Sequence, residues 1–165
     1  PAVILVAGED GDGRLHIVEE FYRRRMLQGD VVAEAKRLHT TYKISQFYAD
    51  PSAAGLIAEL RSEHLPITEA NNQVMPGIQD MKARLVKAGD GRPRLTIDPS
   101  CVNLLAEFDS YVWKQRKAGV KDEPEKANDH AMDACRYMVR AGAGASTISS
   151  LSGLGQIDEA VSRWR

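Results

Sequence analysis

The chain has 165 residues, of which 43% are hydrophobic and 27% are charged, and its formal net charge is −1. This size and content are typical of one globular domain with a core, and the near-neutral charge excludes a protein that is basic overall. Because there is no apolar run of about 18 residues and no signal-like segment, we expect a soluble protein with no membrane partner. The two cysteines, Cys101 and Cys135, lack metal-ligand spacing and indicate a reducing compartment, and we expect both to be packing residues.

The beginning of the chain predicts a β-hairpin. Residues 1–7 form a continuous apolar run, which is typical of a buried strand. The acidic and glycine-rich residues 9–13 predict a turn, and residues 14–19 predict the returning strand. Residues 21–22 would form a further short strand.

Further along, short apolar runs alternate with helical patterns. The predicted strands cover residues 44–49, 65–68 and 94–97. The predicted helices are residues 31–40 capped by Asp30, a helix capped by Ser52, a helix with Pro76 at its first position, residues 100–111, and residues 128–140 capped by Asn128. A hairpin followed by alternating strands and helices predicts an α/β fold whose mixed central β-sheet has helices on both faces. No GxxxxGK[ST] phosphate loop is present in the sequence.

Asp50 comes directly after the predicted strand of residues 44–49. In an open α/β sheet, chemistry is found outside the carboxyl ends of the strands. A helix is predicted to begin near Ser52, and its N-terminal amides would stabilise an ionised carboxylate. The alternative is that Asp50 only helps to cap that helix.

A second acidic group lies near the C-terminus. Asp129 and Asp133 are four residues apart on one face of the predicted helix, and His130 lies beside them. Stacked carboxylates repel each other unless a divalent cation or a basic partner separates them, and the alternative is a solvated helix face. Together with Asp50 they would offer a hard cation carboxylate oxygens from separate elements. Two such ions about 3.5–4 Å apart can activate water for phosphodiester hydrolysis.

Several motifs resemble the nuclease domain of tailed-phage terminase large subunits. The run from Phe47 to Ala54, FYADPSAA, resembles the YADPSA element of that family, and the run from Asp129 to Tyr137, DHAMDACRY, resembles its C-terminal DHAMDALRY element. Other landmarks in matching order are the hairpin of residues 13–22, MPGI at 75–78, DPSC at 98–101 and LAEFDSY at 105–111. The resemblance extends over residues 1–141.

This resemblance implies an RNase H-like fold, similar to that of Holliday-junction resolvases. It also implies an endonuclease that cuts concatemeric viral DNA during packaging by two-metal-ion hydrolysis with Mg²⁺ or Mn²⁺. Carried over to this chain, Asp50 and Asp133 would be catalytic acids and metal ligands. His130 would position or shuttle protons or support a ligand, Asp129 would be an adjacent metal ligand, and Glu20 a possible additional acid.

One element of the family is absent from the sequence. The first catalytic acid of the family lies in a G-x-D-x-G element on the first strand, a few residues before a proline that resembles Pro1. Glu9, Asp10 and Asp12 would not replace this acid, because they lie on the far turn of the hairpin. We therefore expect the natural protein to continue upstream through this acid into an ATPase domain. The truncated chain would be impaired in metal binding and catalysis.

The remaining expectations concern boundaries and partners. Residues 1–141 would form the nuclease domain and residues 142–165 a flexible C-terminal tail. A basic cluster before the last helix would contact the phosphates of double-stranded DNA without reading bases; it consists of Lys114, Arg116, Lys117 and Lys121. By resemblance, further partners are the ATPase domain of the same chain, the portal and the small terminase subunit, in the cytoplasm of the host of a phage or prophage.

Two rival interpretations remain open. Another RNase H-like nuclease, such as a resolvase or transposase, would share the acidic residues but lack the YADPSA and Asp-Pro-Ser-Cys landmarks. A non-catalytic domain that only docks on DNA or on a portal would bind without metal and would not nick DNA.

Overall fold

The predicted hairpin forms the first two strands of the computed structural model, which describes residues 1–110 and 129–142. Strand β1 (Ala2–Glu9) pairs antiparallel with strand β2 (Leu15–Arg23), and the register shifts between Val6 and Ala7. Residues 21–22 are strand residues, as expected, but they continue β2 opposite the first half of β1 and do not form a further strand.

The turn between β1 and β2 is held by its own side chains. Asp10 Oδ1 accepts hydrogen bonds from the amides of Asp12 and Arg14, at 3.0 and 2.9 Å, and Gly13 adopts a φ of 75°. The buried Arg14 guanidinium contacts Asp10, Asp12 and Asp90. Asp10 and Asp12 are therefore paired with an arginine at the turn end of the hairpin.

The other strands are short and parallel. Strand β5 (Leu95–Ile97) pairs parallel with β2, which makes a mixed three-stranded sheet of order β1-β2-β5. Strands β3 (Phe47–Ala49) and β4 (Ile67–Glu69) pair parallel in a separate two-stranded sheet. The strands that were expected to form one central sheet thus fall into two sheets in the described residues.

Helices cover both faces of these sheets. They are α1 (Gln28–Tyr42), α2 (Ala54–Ser62), α3 (Val74–Leu85), α4 (Val102–Ser110) and α5 (His130–Gly142). Successive residues of a strand point to opposite faces, and in β1 Val3 and Leu5 pack with α3, α4 and α5, whereas Ile4 packs with α1 and α2. The predicted α/β class, with a mixed sheet and helices on both faces, is confirmed.

Several predicted helix starts were wrong. Helix α1 begins at Gln28 after an extended Leu27, whose carbonyl accepts the amides of Asp30 and Val31, so Asp30 lies in the first turn and is not the cap. Helix α3 begins before Pro76, at Val74. Both errors arise because a backbone carbonyl can begin a helix without a capping side chain.

The two cysteines belong to the larger core. Cys101 and Cys135 are fully buried between the sheet and helices α4 and α5. This confirms their assignment as packing residues. No helix in the described part of the chain is long and apolar enough to cross a membrane.

Candidate functional site

Asp50 lies directly after β3, as the sequence predicted, and shapes the turn into α2. Its Oδ1 accepts the amide of Ser52 at 2.8 Å, and its carbonyl accepts the amide of Ala53 at 2.9 Å. Helix α2 begins after Ala53 without a side-chain cap, so the predicted cap at Ser52 was wrong. One oxygen of Asp50 is thus used locally, in the turn before α2, whereas the alternative had Asp50 only help to cap that helix.

The second oxygen of Asp50 is bound by helix α5. The Tyr137 hydroxyl donates to Asp50 Oδ2 at 2.7 Å, and Tyr137 is buried. Burial alone would raise the pKa of Asp50, but the hydrogen bonds from Tyr137 and Ser52, with the charge of Arg136, hold that pKa below its usual value. Burial and the bond to Asp50 raise the pKa of Tyr137, so its hydroxyl keeps its proton. Asp50 is therefore an ionised carboxylate at neutral pH.

Asp133 is held by the residue one turn along α5. Arg136 donates to Asp133 Oδ1 from Nη2 at 2.7 Å and from Nε at 3.3 Å, and to the Asn72 carbonyl at 3.0 Å. The side chain of Arg136 is 4% exposed and that of Asp133 is 39% exposed. A buried cation thus fixes one oxygen of a carboxylate whose other side remains open to solvent.

Helix α3 approaches this arginine closely at Gly77, which has no side chain. A Cβ atom at Gly77 would lie 2.4 Å from Arg136 Cγ and 2.7 Å from Arg136 Cδ. Only glycine permits this approach, since real Cβ contacts are longer. Gly77 therefore helps to set the position of Arg136 and, through it, that of Asp133.

These contacts bring Asp50 and Asp133 into one polar network. The Arg136 Cζ atom lies 4.7 Å from the centre of the Tyr137 ring, so the partners of the two acids touch each other. Asp133 also acts electrostatically on Tyr137, as Arg136 does on Asp50. The two acids, 83 positions apart in the sequence, are thus bound by two adjacent residues of α5.

The other acidic-helix residues lie at the start of α5. His130 is the exposed first residue of the helix, three positions before Asp133 and seven before Tyr137, so the three share a face. Asp129 precedes the helix, is half-buried, and its carbonyl accepts the amide of Asp133 at 2.8 Å. The roles assigned to Asp129 and His130 stay predictions.

Glu20 occupies a structural position. Its Oε1 accepts the amide and the side-chain amide of Asn103, at 3.1 and 2.6 Å, and its Oε2 accepts the amide of Leu104 at 2.6 Å. Both oxygens therefore cap the amino end of α4. Its possible role as an additional acid stays a prediction, and the carboxylate would have to leave α4 to fulfil it.

The two acids offer the ligand atoms that a hard divalent cation prefers. Asp50 and Asp133 present carboxylate oxygens from separate elements, each with one oxygen already oriented by a buried donor. Within residues 1–110 and 129–142, however, no group of three or more acidic, histidine or cysteine side chains is arranged to hold a metal ion. The predicted DNA-binding residues Lys114, Arg116, Lys117 and Lys121 lie outside the described residues.

Sequence reasoning assigned no role to Arg136 and Tyr137, which hold the two acids, or to Glu107 on α4, which accepts the amides of Ala131 and Met132 at the start of α5. Arg136 lies three residues after Asp133, a spacing at which helix side chains pair, and this signal could have been used. The partner of Tyr137 is 87 positions away and that of Glu107 is 24 positions away. No local pattern reports either contact.

Comparison with solved structures relates the chain to large terminases. The large terminase of a thermophilic bacteriophage, in complex with ATP-gamma-S, is 27% identical with a TM-score of 0.73 over 83% of this chain and 36% of that chain. In complex with ADP, the same terminase is 26% identical with a TM-score of 0.76, over 87% of this chain and 37% of that chain. The chain thus spans about a third of the length of the thermophilic-phage terminase, to which this part of the structure is similar.

A second similarity concerns the fold. The nuclease domain of the g2p large terminase from bacteriophage SPP1, solved with bound Mn, is 19% identical with a TM-score of 0.61, over 82% of this chain and 75% of that chain. The chain therefore shares the α/β fold of that domain. No protein-family model and no curated protein matches the chain.

Proposed function

We propose that this chain is the metal-dependent DNA endonuclease domain of a phage DNA-packaging terminase, which cuts concatemeric DNA by two-metal-ion hydrolysis. One observation carries the proposal: Asp50 and Asp133 lie in one network, joined by the buried pair Arg136 and Tyr137. The 27% identity to the thermophilic-phage large terminase supports the terminase role, and the bound Mn of the SPP1 domain supports a divalent metal.

The residues of this chain would do the following. Asp50 and Asp133 would hold Mg²⁺ or Mn²⁺, with Asp129 as an adjacent ligand, and Arg136 and Tyr137 would keep the two main carboxylates oriented. The metal would supply an activated water and stabilise the leaving oxygen. His130, exposed on the face of Asp133, would move a proton or support a ligand.

A two-metal site of this kind would need a further carboxylate beside those of Asp50, Asp133 and Asp129. We propose that a segment upstream of Pro1 supplies it on a strand next to β3 and continues to an ATPase domain. Two features support this: β1 and β3 lie in separate sheets although α5 packs against both, and the thermophilic-phage terminase is much longer than this chain. A strand between β1 and β3 would join the sheets and carry its acid towards Asp50.

The proposed partners follow from the same role. They are double-stranded DNA, contacted by the basic cluster Lys114, Arg116, Lys117 and Lys121, the ATPase domain of the same protein, the portal and the small terminase subunit. The proposed location is the cytoplasm of the bacterial host.

The test is a nicking assay on supercoiled plasmid with the parent protein, including its upstream segment, and Mn²⁺. We expect Asp50→Asn and Asp133→Asn each to lower the cleavage rate at least ~100-fold, because each removes a charged ligand of the reacting metal. Asp30→Asn, at an exposed position on α1, is the matched control and should cut normally.

The outcomes separate the rival functions. Metal-independent DNA binding with no nicking by the parent protein would contradict the nuclease and favour a docking domain. Metal-dependent cleavage by a parent chain with no upstream Walker motif would favour a resolvase or transposase. Undiminished cleavage by both Asn variants would show that the acids of this site are not the catalytic ones.

A further inference from the structure

The amino end of helix α5 is capped by a side chain from another helix. Glu107, on α4, is 5% exposed, and its Oε2 accepts the amides of Ala131 and Met132 at 2.7 and 3.0 Å. Its Oε1 accepts the Tyr22 hydroxyl at 3.0 Å. Both oxygens act only as acceptors, as those of a carboxylate do, and a negative charge is favourable at a helix N-terminus.

This cap occupies the donors that Asp129 would otherwise use. The amide of Asp133 donates to the carbonyl of Asp129, which makes Asp129 the N-cap residue of α5. An N-cap aspartate usually accepts the amide two or three positions later with its own side chain. Here those positions are Ala131 and Met132, and both amides donate to Glu107.

The same device begins helix α4. There the N-cap position is Cys101, which has no strong acceptor, and Glu20 on β2 accepts the amides of Asn103 and Leu104. At α4 the cap from outside is needed because the N-cap residue cannot provide one. At α5 the N-cap residue could provide one, since aspartate is among the best N-cap residues. The cap from Glu107 therefore stands at a position where the N-cap residue has a side-chain acceptor of its own.

We propose that Glu107 is a positioning residue that caps α5 in place of Asp129 and so leaves the Asp129 carboxylate for a divalent cation beside Asp133. This proposal rests on the proposed function. Asp129 and Asp133 share one face of the helix, so a carboxylate that does not turn back to its own amides can meet the cation bound there. Tyr22, on β2, holds the other oxygen of Glu107 and ties the position of α5 to the sheet.

The first test is a metal-free thermal unfolding cycle with Asp129→Ala, Glu107→Ala and the double variant. With Glu107 present, Asp129→Ala should shift the thermal midpoint by less than about 1 °C, because its side chain caps nothing. Without Glu107, Asp129 turns back to cap α5, so its removal should lower the midpoint by about 2–4 °C, the effect of losing a helix cap in a chain of this size. Equal shifts in the two backgrounds would overturn the proposal.

The second test measures Mn²⁺ affinity by calorimetry in the parent protein. Glu107→Ala and Asp129→Ala should each weaken Mn²⁺ binding about 10-fold or more, as expected for a ligand and for the residue that orients it. Val32→Ala, which removes buried methyl groups from the core on the α1 side, controls for stability loss and should leave the affinity close to that of wild type. Unchanged affinity in either Glu107→Ala or Asp129→Ala would overturn the proposal.

Two further variants keep the result decisive. If Glu107→Ala does not fold, Glu107→Leu takes its place in both tests, since it fills the same buried space and offers the α5 amides no acceptor oxygen. If Asp50→Asn leaves Mn²⁺ affinity unchanged, the proposed function fails, while the metal-free cycle still decides whether Glu107 replaces the cap of Asp129.

Discussion

Replacing Tyr137 with phenylalanine tests the connection between α5 and Asp50. The hydroxyl donates to Asp50 Oδ2 at 2.7 Å, and the residue is 8% exposed, so the substitution removes one buried donor and keeps the packing of the ring. A hydrogen bond to a charged acceptor contributes about 1.5–3 kcal/mol. Because Asp50 is only half-buried and water can replace part of that bond, we expect the free energy of unfolding to fall by about 1–2 kcal/mol at pH 7, or about 2–8 °C in thermal midpoint.

The same substitution changes the pH dependence of stability. Burial acts to raise the pKa of Asp50, and the bonds from Tyr137 and Ser52 with the charge of Arg136 lower it below its usual value. A carboxylate with a lowered pKa in the folded state stabilises the fold above its ordinary pKa and loses that contribution as the pH falls through the folded pKa. The stability difference between wild type and Tyr137→Phe should therefore be largest near neutral pH and shrink below about pH 4.

Urea unfolding at pH 7 and at pH values below about 4, with a carboxyl-carbon NMR titration of Asp50, measures both effects. Tyr48→Phe is the matched control, because Tyr48 is 39% exposed on β3, and it should change the free energy of unfolding by less than about 0.5 kcal/mol. An unchanged pKa of Asp50 in Tyr137→Phe, with a stability loss no larger than that of Tyr48→Phe, would refute the reasoning.

Three further predictions concern packing, thiols and DNA. Gly77→Ala should lower the free energy of unfolding by about 1–3 kcal/mol, because its Cβ would overlap Arg136. The control is Gly29→Ala on α1, whose Cβ would meet nothing within 4 Å and which should be neutral or stabilising. Equal unfolding free energies of the two variants would contradict this. Burial raises the pKa of Cys101 to about 11 and that of Cys135 to about 12. Neither thiol should therefore react rapidly with Ellman's reagent at pH 8 before the protein unfolds, and fast reaction of the native protein would contradict this. Neutralising the basic cluster with glutamine should reduce the slope of log affinity for DNA against log salt by about 3–4 in anisotropy titrations, and an unchanged slope would exclude these residues as phosphate contacts. The cluster is Lys114, Arg116, Lys117 and Lys121.

The fold class could be predicted because its signals are local and periodic. The apolar run of residues 1–7 and the glycine-rich turn after it specify the hairpin, and the alternation of short strands and helices specifies the α/β class. Helix starts were harder, since α1 begins from the carbonyl of Leu27 and α2 from Ala53, where no side chain marks the boundary. The division of the strands into two sheets depends on which strands are neighbours in space, and no periodicity reports that.

The sequence indicated the acids of the candidate site but not the residues that bind them. Asp50 stood out because it ends a strand, and Asp133 because it repeats Asp129 one helical turn later. What holds them is Tyr137, whose aromatic ring inside an amphipathic helix suggests packing alone, and Arg136, whose burial depends on the glycine of α3. A cap that comes from another helix, such as Glu107, cannot be recognised from the sequence next to the helix that it caps.

The buried position of Arg136 decides how Asp133 has to be tested. The guanidinium has Asp133 and the Asn72 carbonyl as its hydrogen-bond partners among the described residues, and its side chain is 4% exposed. Asp133→Ala would leave that cation poorly paired, and truncating one partner of a buried charge destabilises a protein through the charge left behind. A loss of cleavage in that variant would then combine misfolding with a lost metal ligand. Asp133→Asn keeps an oxygen acceptor for Arg136 while it removes the charge that a metal requires, so it separates the two causes when unfolding and cleavage are measured together.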